Sequence, residues 1–259
     1  MLPTLKGSLG MPLLLLLVAA GLWLSGSNTS VFLKLHTLML QLGGPIWANL
    51  TMLGDAAVTP LFLVVFIRRR PDLLWAAVIG SLLAYGFSHG LKPLINEARP
   101  PAVLDIVVVG PRLLHGSFPS GHATTIFMLA GLLILGLPVR SRLFQLGIVL
   151  AATTVGLSRI GVGVHWPVDI LIGGADGWLS AACGILLAGY WPWGSHGKGR
   201  LVPLALLFLL SIYNLLGSAS GYADAEWLTK GISGLALVWG GLEIYLWRQG
   251  HQFRAADGQ

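Results

Sequence analysis

From Gly7 to Leu33 no side chain carries a charge, and comparable apolar runs recur along the chain, separated by short cationic clusters. Hydrocarbon offers no water to satisfy backbone N–H and C=O groups, so a chain of such runs has to bond its backbone internally, as helices. Roughly twenty residues of helix cross a hydrocarbon layer about 30 Å thick. Only 10% of the 259 residues are charged and the mean hydropathy is +0.78, whereas soluble domains carry about 25% charged residues. The expected fold class is therefore all-α, a polytopic membrane helix bundle. The net charge of +6 is scattered singly and in short clusters. With no basic stripe, a nucleic-acid partner is not expected. Cys183 is the one cysteine, which excludes an intramolecular disulfide or a cysteine zinc site.

Eight spans are predicted. They run over about 7–33 (apolar heart Met11–Leu24), Ile46–Ile67, Leu73–Gly90, Ser120–Leu137, Leu143–Leu157, Pro167–Tyr190, Leu201–Leu216 and Gly231–Trp247. No small-x-small cleavage site follows the first leucines, so the first run reads as a retained span rather than a signal peptide. Residues 30–44 suit an interfacial amphipathic helix, 91–118 a polar Pro-rich loop, and 248–259 a polar, mobile tail. With Lys6 in the cytoplasm and sides alternating, Arg68, Arg69, Arg70, Arg140, Arg142, Lys198, Arg200, Arg248 and Arg254 fall there too. Lys34, Lys92, Arg99, Arg112, Arg159 and Lys230 fall opposite, ten cations against six, as the positive-inside rule requires. The expected division is a six-span core over 1–195, motif-bearing over about 46–190, followed by two additional spans and the tail over 196–259.

Three polar clusters land on the outer side of this topology. Lys92-Pro-Leu-Ile-Asn-Glu-Ala-Arg99-Pro100 follows the third span, Phe118-Pro119-Ser120-Gly121-His122 enters the fourth, and Ser158-Arg159 through His165 to Asp169 joins the fifth to the sixth. Charged groups at the edge of hydrocarbon are costly and ask for a function. Lys92, Arg99 and Arg159 suit a phosphate dianion and the extra charge of its transfer transition state. Pro119-Ser120-Gly121 opens a helix, so free N–H groups and the dipole aim at an anion, with the Ser120 hydroxyl as a further donor. Gly121 lets the backbone approach closely. His165, oriented by Asp169 four residues on, can attack phosphorus as a neutral imidazole. His122 can then protonate the leaving oxygen and later activate water. A metal held by His122, His165 and Asp169 is conceivable, but three nearby cations repel a divalent ion, so no metal is expected. His115 reads as a loop residue and Glu97 as a counter-charge. Asp55 and Asp176, inside spans, read as packing or hydrogen-bonding groups rather than relays.

Lys92-x6-Arg99-Pro100, Pro119-Ser120-Gly121-His122 and Ser158-Arg159-x5-His165-x3-Asp169 resemble, in order and with every signature position filled, the three motifs of the type-2 phosphatidic acid phosphatase superfamily. That resemblance implies a helical membrane fold with the site at the outer membrane–water boundary. It implies a metal- and cofactor-independent phosphatase with His165 as nucleophile, Asp169 as its orienter, His122 as general acid, and Lys92, Arg99, Ser120, Gly121 and Arg159 binding phosphate. The expected partners are a lipid phosphate substrate and membrane lipids. The expected setting is a bacterial inner membrane with the site facing the periplasm. Undecaprenyl diphosphate, phosphatidylglycerol phosphate, phosphatidic acid and the 1-phosphate of lipid A are all candidate substrates. A phosphotransferase that passes the phosphoryl group to another lipid is the nearest alternative. A lipid-phosphate transporter leaves the His165–Asp169 pair and His122 without a role, and the two C-terminal spans have none in the resemblance.

Overall fold

The computed structural model describes residues 5–138, 141–217 and 221–256. Arg140, one of the cations used above to orient the spans, lies outside them. The described elements are helices α1 (Leu5–Leu24), α2 (Asn28–Leu40), α3 (Gly44–Met52), α4 (Pro71–Ile95), α5 (Pro100–Val103), α6 (Gly121–Gly136), α7 (Arg142–Gly161), α8 (Pro167–Tyr190), α9 (Leu201–Leu216) and α10 (Glu226–Ala256), with a 3-10 segment at Thr59–Phe66 and shorter 3-10 turns elsewhere. The all-helical fold expected from the apolar runs is present.

The bundle is built around α8, which packs against α1, α4 and α6. Small residues make this possible, because lipid supplies no hydrophobic drive and helices in a membrane gain from close backbone contact. At Gly177 a Cβ would stand 2.0 Å from the Thr124 carbonyl of α6, and at Gly184 2.4 Å from the Ala76 carbonyl of α4. Helices α4 and α6 run antiparallel. Arg70, just before α4, donates to the Gly136 carbonyl at the far end of α6 (2.7 Å), while Lys92, near the other end of α4, donates to the Pro119 carbonyl just before α6 (3.1 Å). The polar clusters thus share one end of the bundle, and Arg68, Arg70 and Arg200 occupy the other.

The spans differ in detail from the even series of eight. Four helical stretches, Pro71–Val103, Arg142–Gly161, Pro167–Tyr190 and Gly197–Leu216, are each long and apolar enough to cross a membrane. The pair Ser8–Leu24 and Asn28–Leu40, bent by 106°, makes up to five. The predicted second span is not one helix. α3 ends at Met52, a turn occupies 53–58, and a 3-10 segment follows. Gly54, Asp55 and Pro60 lie within seven residues and interrupt the α-helical ladder. α6 has sixteen residues, about 24 Å at 1.5 Å per residue, short of a full crossing. The third predicted span continues as helix to Ile95, where Asn96 takes a left-handed conformation (φ 42°) and ends it. α10 continues to Ala256, through the stretch expected to be a mobile tail.

Helices α9 and α10 pack on each other and on the 3-10 segment. The Asn214 side chain donates to the Ala57 carbonyl in the 53–58 turn (2.9 Å), and buried Glu243 accepts from Arg68 Nε at 3.1 Å. A backbone carbonyl left without a helical partner is thereby satisfied from 157 residues away, as a low-dielectric environment demands.

Candidate active site

His165 lies in the turn between α7 and α8. Gly163 makes that turn at φ +83°, where a Cβ would also press on the Val107 carbonyl at 2.9 Å. Asp169, at the third position of α8, accepts the backbone N–H of Trp166 at 2.9 Å and so caps the helix start. The same oxygen accepts the Ser117 hydroxyl at 2.5 Å and faces His165 Nδ1 at 3.3 Å. On the other side of the ring, Arg99 Nη1 stands 3.1 Å from His165 Nε2. A guanidinium only donates, so this arrangement requires Nε2 to carry the lone pair and Nδ1 the proton. Arg99 is itself fastened by donating to the carbonyls of His115 (2.9 Å), Gly116 (3.1 Å) and Val164 (3.0 Å). Burial, and then the nearby Arg99, Arg159 and Lys92 cations, hold His165 well below the usual histidine range. The imidazole is kept neutral and aimed, the state a nucleophile needs.

Lys92 Nζ donates to the carbonyls of Gly116 (2.8 Å) and Pro119 (3.1 Å), which ties α4 to the loop leading into α6. Ser120 is the N-cap of α6. Its Oγ accepts from the Ala123 N–H at 3.5 Å and its own N–H donates to the Asp169 carbonyl at 3.0 Å. Around Gly121 a Cβ would meet nothing within 4 Å, so the glycine leaves open space rather than permitting a tight protein contact. His122 follows, its Nε2 buried without a hydrogen-bond partner and 3.8 Å from Asp55 Oδ2. Gly54 brings the 53–58 turn against it, since a Cβ there would stand 3.0 Å from the His122 carbonyl.

Arg159, in the last turn of α7, is 3% exposed. Its Nη1 donates to Thr51 Oγ1 of α3 at 2.6 Å and to the Tyr222 hydroxyl at 3.1 Å, while its Nε is buried with no partner among the described residues. A buried, unspent guanidinium N–H is costly unless something accepts it.

Lys92, Arg99, Gly121, His122, Arg159 and His165 all line one cavity of about 520 Å³. Asp169 stands behind His165, and Ser120 beneath Gly121 as the helix cap. The cavity continues past Asp55, Pro60, Ala84, Tyr85 and Met128, between α4, α6 and the broken segment. The eight residues singled out in the sequence therefore gather at one place, six on the wall and two supporting it. His115 contributes only its backbone carbonyl. Asp176 is a hydrogen-bonding residue, accepting from Ser88 (3.1 Å), Thr124 (3.3 Å) and Ser180 (3.3 Å). Sequence reasoning missed Ser117, Thr51 and Tyr222, and gave Asp55 no partner. Only Asp55 carried a visible signal, a carboxylate inside an apolar run.

A family model described as "PAP2 superfamily" matches residues 72–193. A decaprenylphosphoryl-5-phosphoribose phosphatase of Mycobacterium tuberculosis is 35% identical over 133 residues, 51% of this chain and 65% of that protein. An undecaprenyl-diphosphatase of Sulfolobus acidocaldarius is 36% identical over 106 residues, 40% and 47% of the two chains. The matched part thus spans between about half and two thirds of these relatives. The crystal structure of Aquifex aeolicus LpxE superposes with a TM-score of 0.56 at 24% identity, covering 61% of this chain and 94% of that one.

Proposed function

We propose, from the premise that residues 72–193 belong to the PAP2 superfamily, that this protein is an integral membrane lipid phosphatase. It removes a terminal phosphate from a lipid phosphate or diphosphate through a phosphohistidine, without a metal or cofactor. The observation that carries this reading is the His165 ring, held between Asp169 at Nδ1 and Arg99 at Nε2 on the wall of a cavity that also receives Lys92, Arg159 and His122.

The entering phosphate takes over the Arg99 donor that covers Nε2 and is met by Lys92, the unspent Nε–H of Arg159 and the N-terminus of α6 at Gly121. Nε2 attacks phosphorus, forming an N–P bond as the P–O bond to the lipid breaks. His122 gives its proton to the departing oxygen. Water then attacks the phosphohistidine while His122 takes its proton, and phosphate leaves. Asp169 keeps Nδ1–H in place as positive charge grows on the ring. Asp55 faces His122 at ion-pair distance and supports it in the protonated state of the cycle. The apolar part of the cavity along Ala84, Tyr85, Pro60 and Met128 suits the start of a hydrocarbon tail.

The two relatives described above are named for polyprenyl-linked phosphates or diphosphates, which keeps lipids of that kind among the candidates. The cations at the far end of the bundle favour a bacterial inner membrane with the site facing the periplasm. The test is phosphate release from undecaprenyl diphosphate, phosphatidylglycerol phosphate, phosphatidic acid and lipid A 1-phosphate in EDTA, with and without a lipid acceptor. Release from at least one is expected. A strict divalent-metal requirement would overturn the metal-free route, and transfer to the acceptor with no free phosphate would make the protein a transferase. In a Cys183→Ser background, single cysteines at positions 112 and 141 should label from the periplasm and from the cytoplasm respectively; the reverse pattern would invert the topology.

A further inference from the structure

The α9–α10 hairpin lies wholly outside the matched segment 72–193, yet residues 221–225, just before α10, reach the site. Tyr222 is 4% exposed, and its ring belongs to the apolar cluster of Trp47, Met52, Val58, Val162 and Val164. The contact is close enough to dictate its neighbours. At Gly110, which sits at φ +79°, a Cβ would stand 2.5 Å from the Tyr222 ring, and at Gly221, φ +84°, one would stand 2.7 Å from Pro111. The connection is also fastened to α3, where the Asn49 side chain donates to the Asp224 carbonyl at 3.2 Å. The phenol oxygen ends 3.1 Å from Arg159 Nη1.

A guanidinium has five N–H donors in a rigid fork, so fixing one edge fixes the direction of the rest. Tyr222 and Thr51 both bond Nη1, from opposite ends of the sequence, and Nε is left as the buried donor without a partner. We propose that Tyr222 is a positioning residue, which sets the Arg159 fork so that its free N–H groups meet the phosphoryl oxygens, and that the C-terminal hairpin is thereby part of the catalytic unit. This rests on the phosphate-binding role of Arg159 proposed above. It gives the hairpin a chemical role that the motifs of the core do not contain.

The test uses the full chain. Tyr222→Phe removes one oxygen and keeps the ring, so kcat/KM should fall roughly tenfold, the scale of one charge-assisted hydrogen bond. Affinity for orthovanadate, which takes the geometry of the phosphoryl transition state, should weaken by a similar factor while KM changes less than kcat. In an Arg159→Lys background, which has no fork to aim, the same substitution should cost less than twofold. Para-fluorophenylalanine at 222 fills the volume of tyrosine and should reproduce the loss, which covers the case of a poorly folding phenylalanine variant. The inference is overturned by a kcat/KM within twofold of the parent, by a lowered Tm as the sole effect, or by an equal loss in the Arg159→Lys background. A parent protein that neither releases phosphate nor binds orthovanadate would instead overturn the reading of the cavity and this inference with it.

Discussion

Two regions meet at the cavity and divide its work. The segment matched by the family model contributes every cation and all three histidines of the lining, with Lys92, Gly121, Arg159 and His165 placed by helix ends. The flanks, residues 44–66 before it and 221–256 after it, contribute Thr51, Asp55 and Tyr222, each of which stands against a core residue. In the mechanism proposed above, one region carries the groups that act on a phosphate; the other contacts two of those groups, Arg159 and His122. The difference teaches that the nucleophile is aligned from within its own segment, by Asp169 and Ser117, whereas Arg159 and His122 also lean on partners outside it. Losses in the core should therefore be losses of reaction, and losses in the flanks should be losses of rate.

His165→Ala is the severest test of that division. Without the proposed nucleophile the protein should lose at least about 10³-fold in turnover, read as phosphate release, while equilibrium binding of a lipid phosphate survives; near-parental turnover would remove His165 from the mechanism. Asp169→Asn comes next, at roughly 10²-fold in kcat, because an amide no longer selects the Nδ1–H tautomer. A loss of only a few-fold would mean that Ser117 and the turn backbone orient the ring without it. Asp55→Asn, the flank counterpart, should cost about tenfold in kcat with an unchanged Tm, and a loss as deep as that of His165→Ala would place Asp55 in the reaction itself. The smallest effect is a displacement along the pH axis. In the proposed mechanism His165 acts as the neutral ring, and burial and neighbouring cations hold its pKa down, so the acid limb of kcat/KM should lie well below pH 6.5. Removing a neighbouring cation with Arg99→Gln raises that pKa, and the limb should move to higher pH at reduced activity. Asp55→Asn should leave it in place. A limb that stayed put in Arg99→Gln would mean that burial and the remaining Arg159 and Lys92 charges set the ring's state.

The core half of this comparison is legible in the sequence and the flank half is not. Lys92, Arg99, His122, Arg159, His165 and Asp169 are conspicuous because charge beside hydrocarbon is costly and the spacing of His165 and Asp169 matches one helical turn. Thr51 and Tyr222 give no such signal. A threonine and a tyrosine among apolar residues are ordinary, and their partner Arg159 lies 108 and 63 residues away. Ser117 is hidden for the same reason, since its bond to Asp169 spans 52 residues of chain. The apolar runs predict the helices of the bundle well, but hydropathy does not register a broken ladder. In 46–67 the apolar content continues through Gly54, Asp55 and Pro60, and only attention to helix-breaking residues separates α3 from the 3-10 segment.

That break has a consequence for how the protein is made. The turn at 53–58 exposes carbonyls that a bilayer cannot satisfy, and the side chain that caps Ala57 is Asn214, which the ribosome adds 157 residues later. At about 5–20 residues per second, the segment waits roughly 8–30 s before its cover exists. During that interval the nascent chain has to shelter the turn elsewhere, at the insertion machinery or at the lipid–water boundary, and it can close only when the last hairpin arrives.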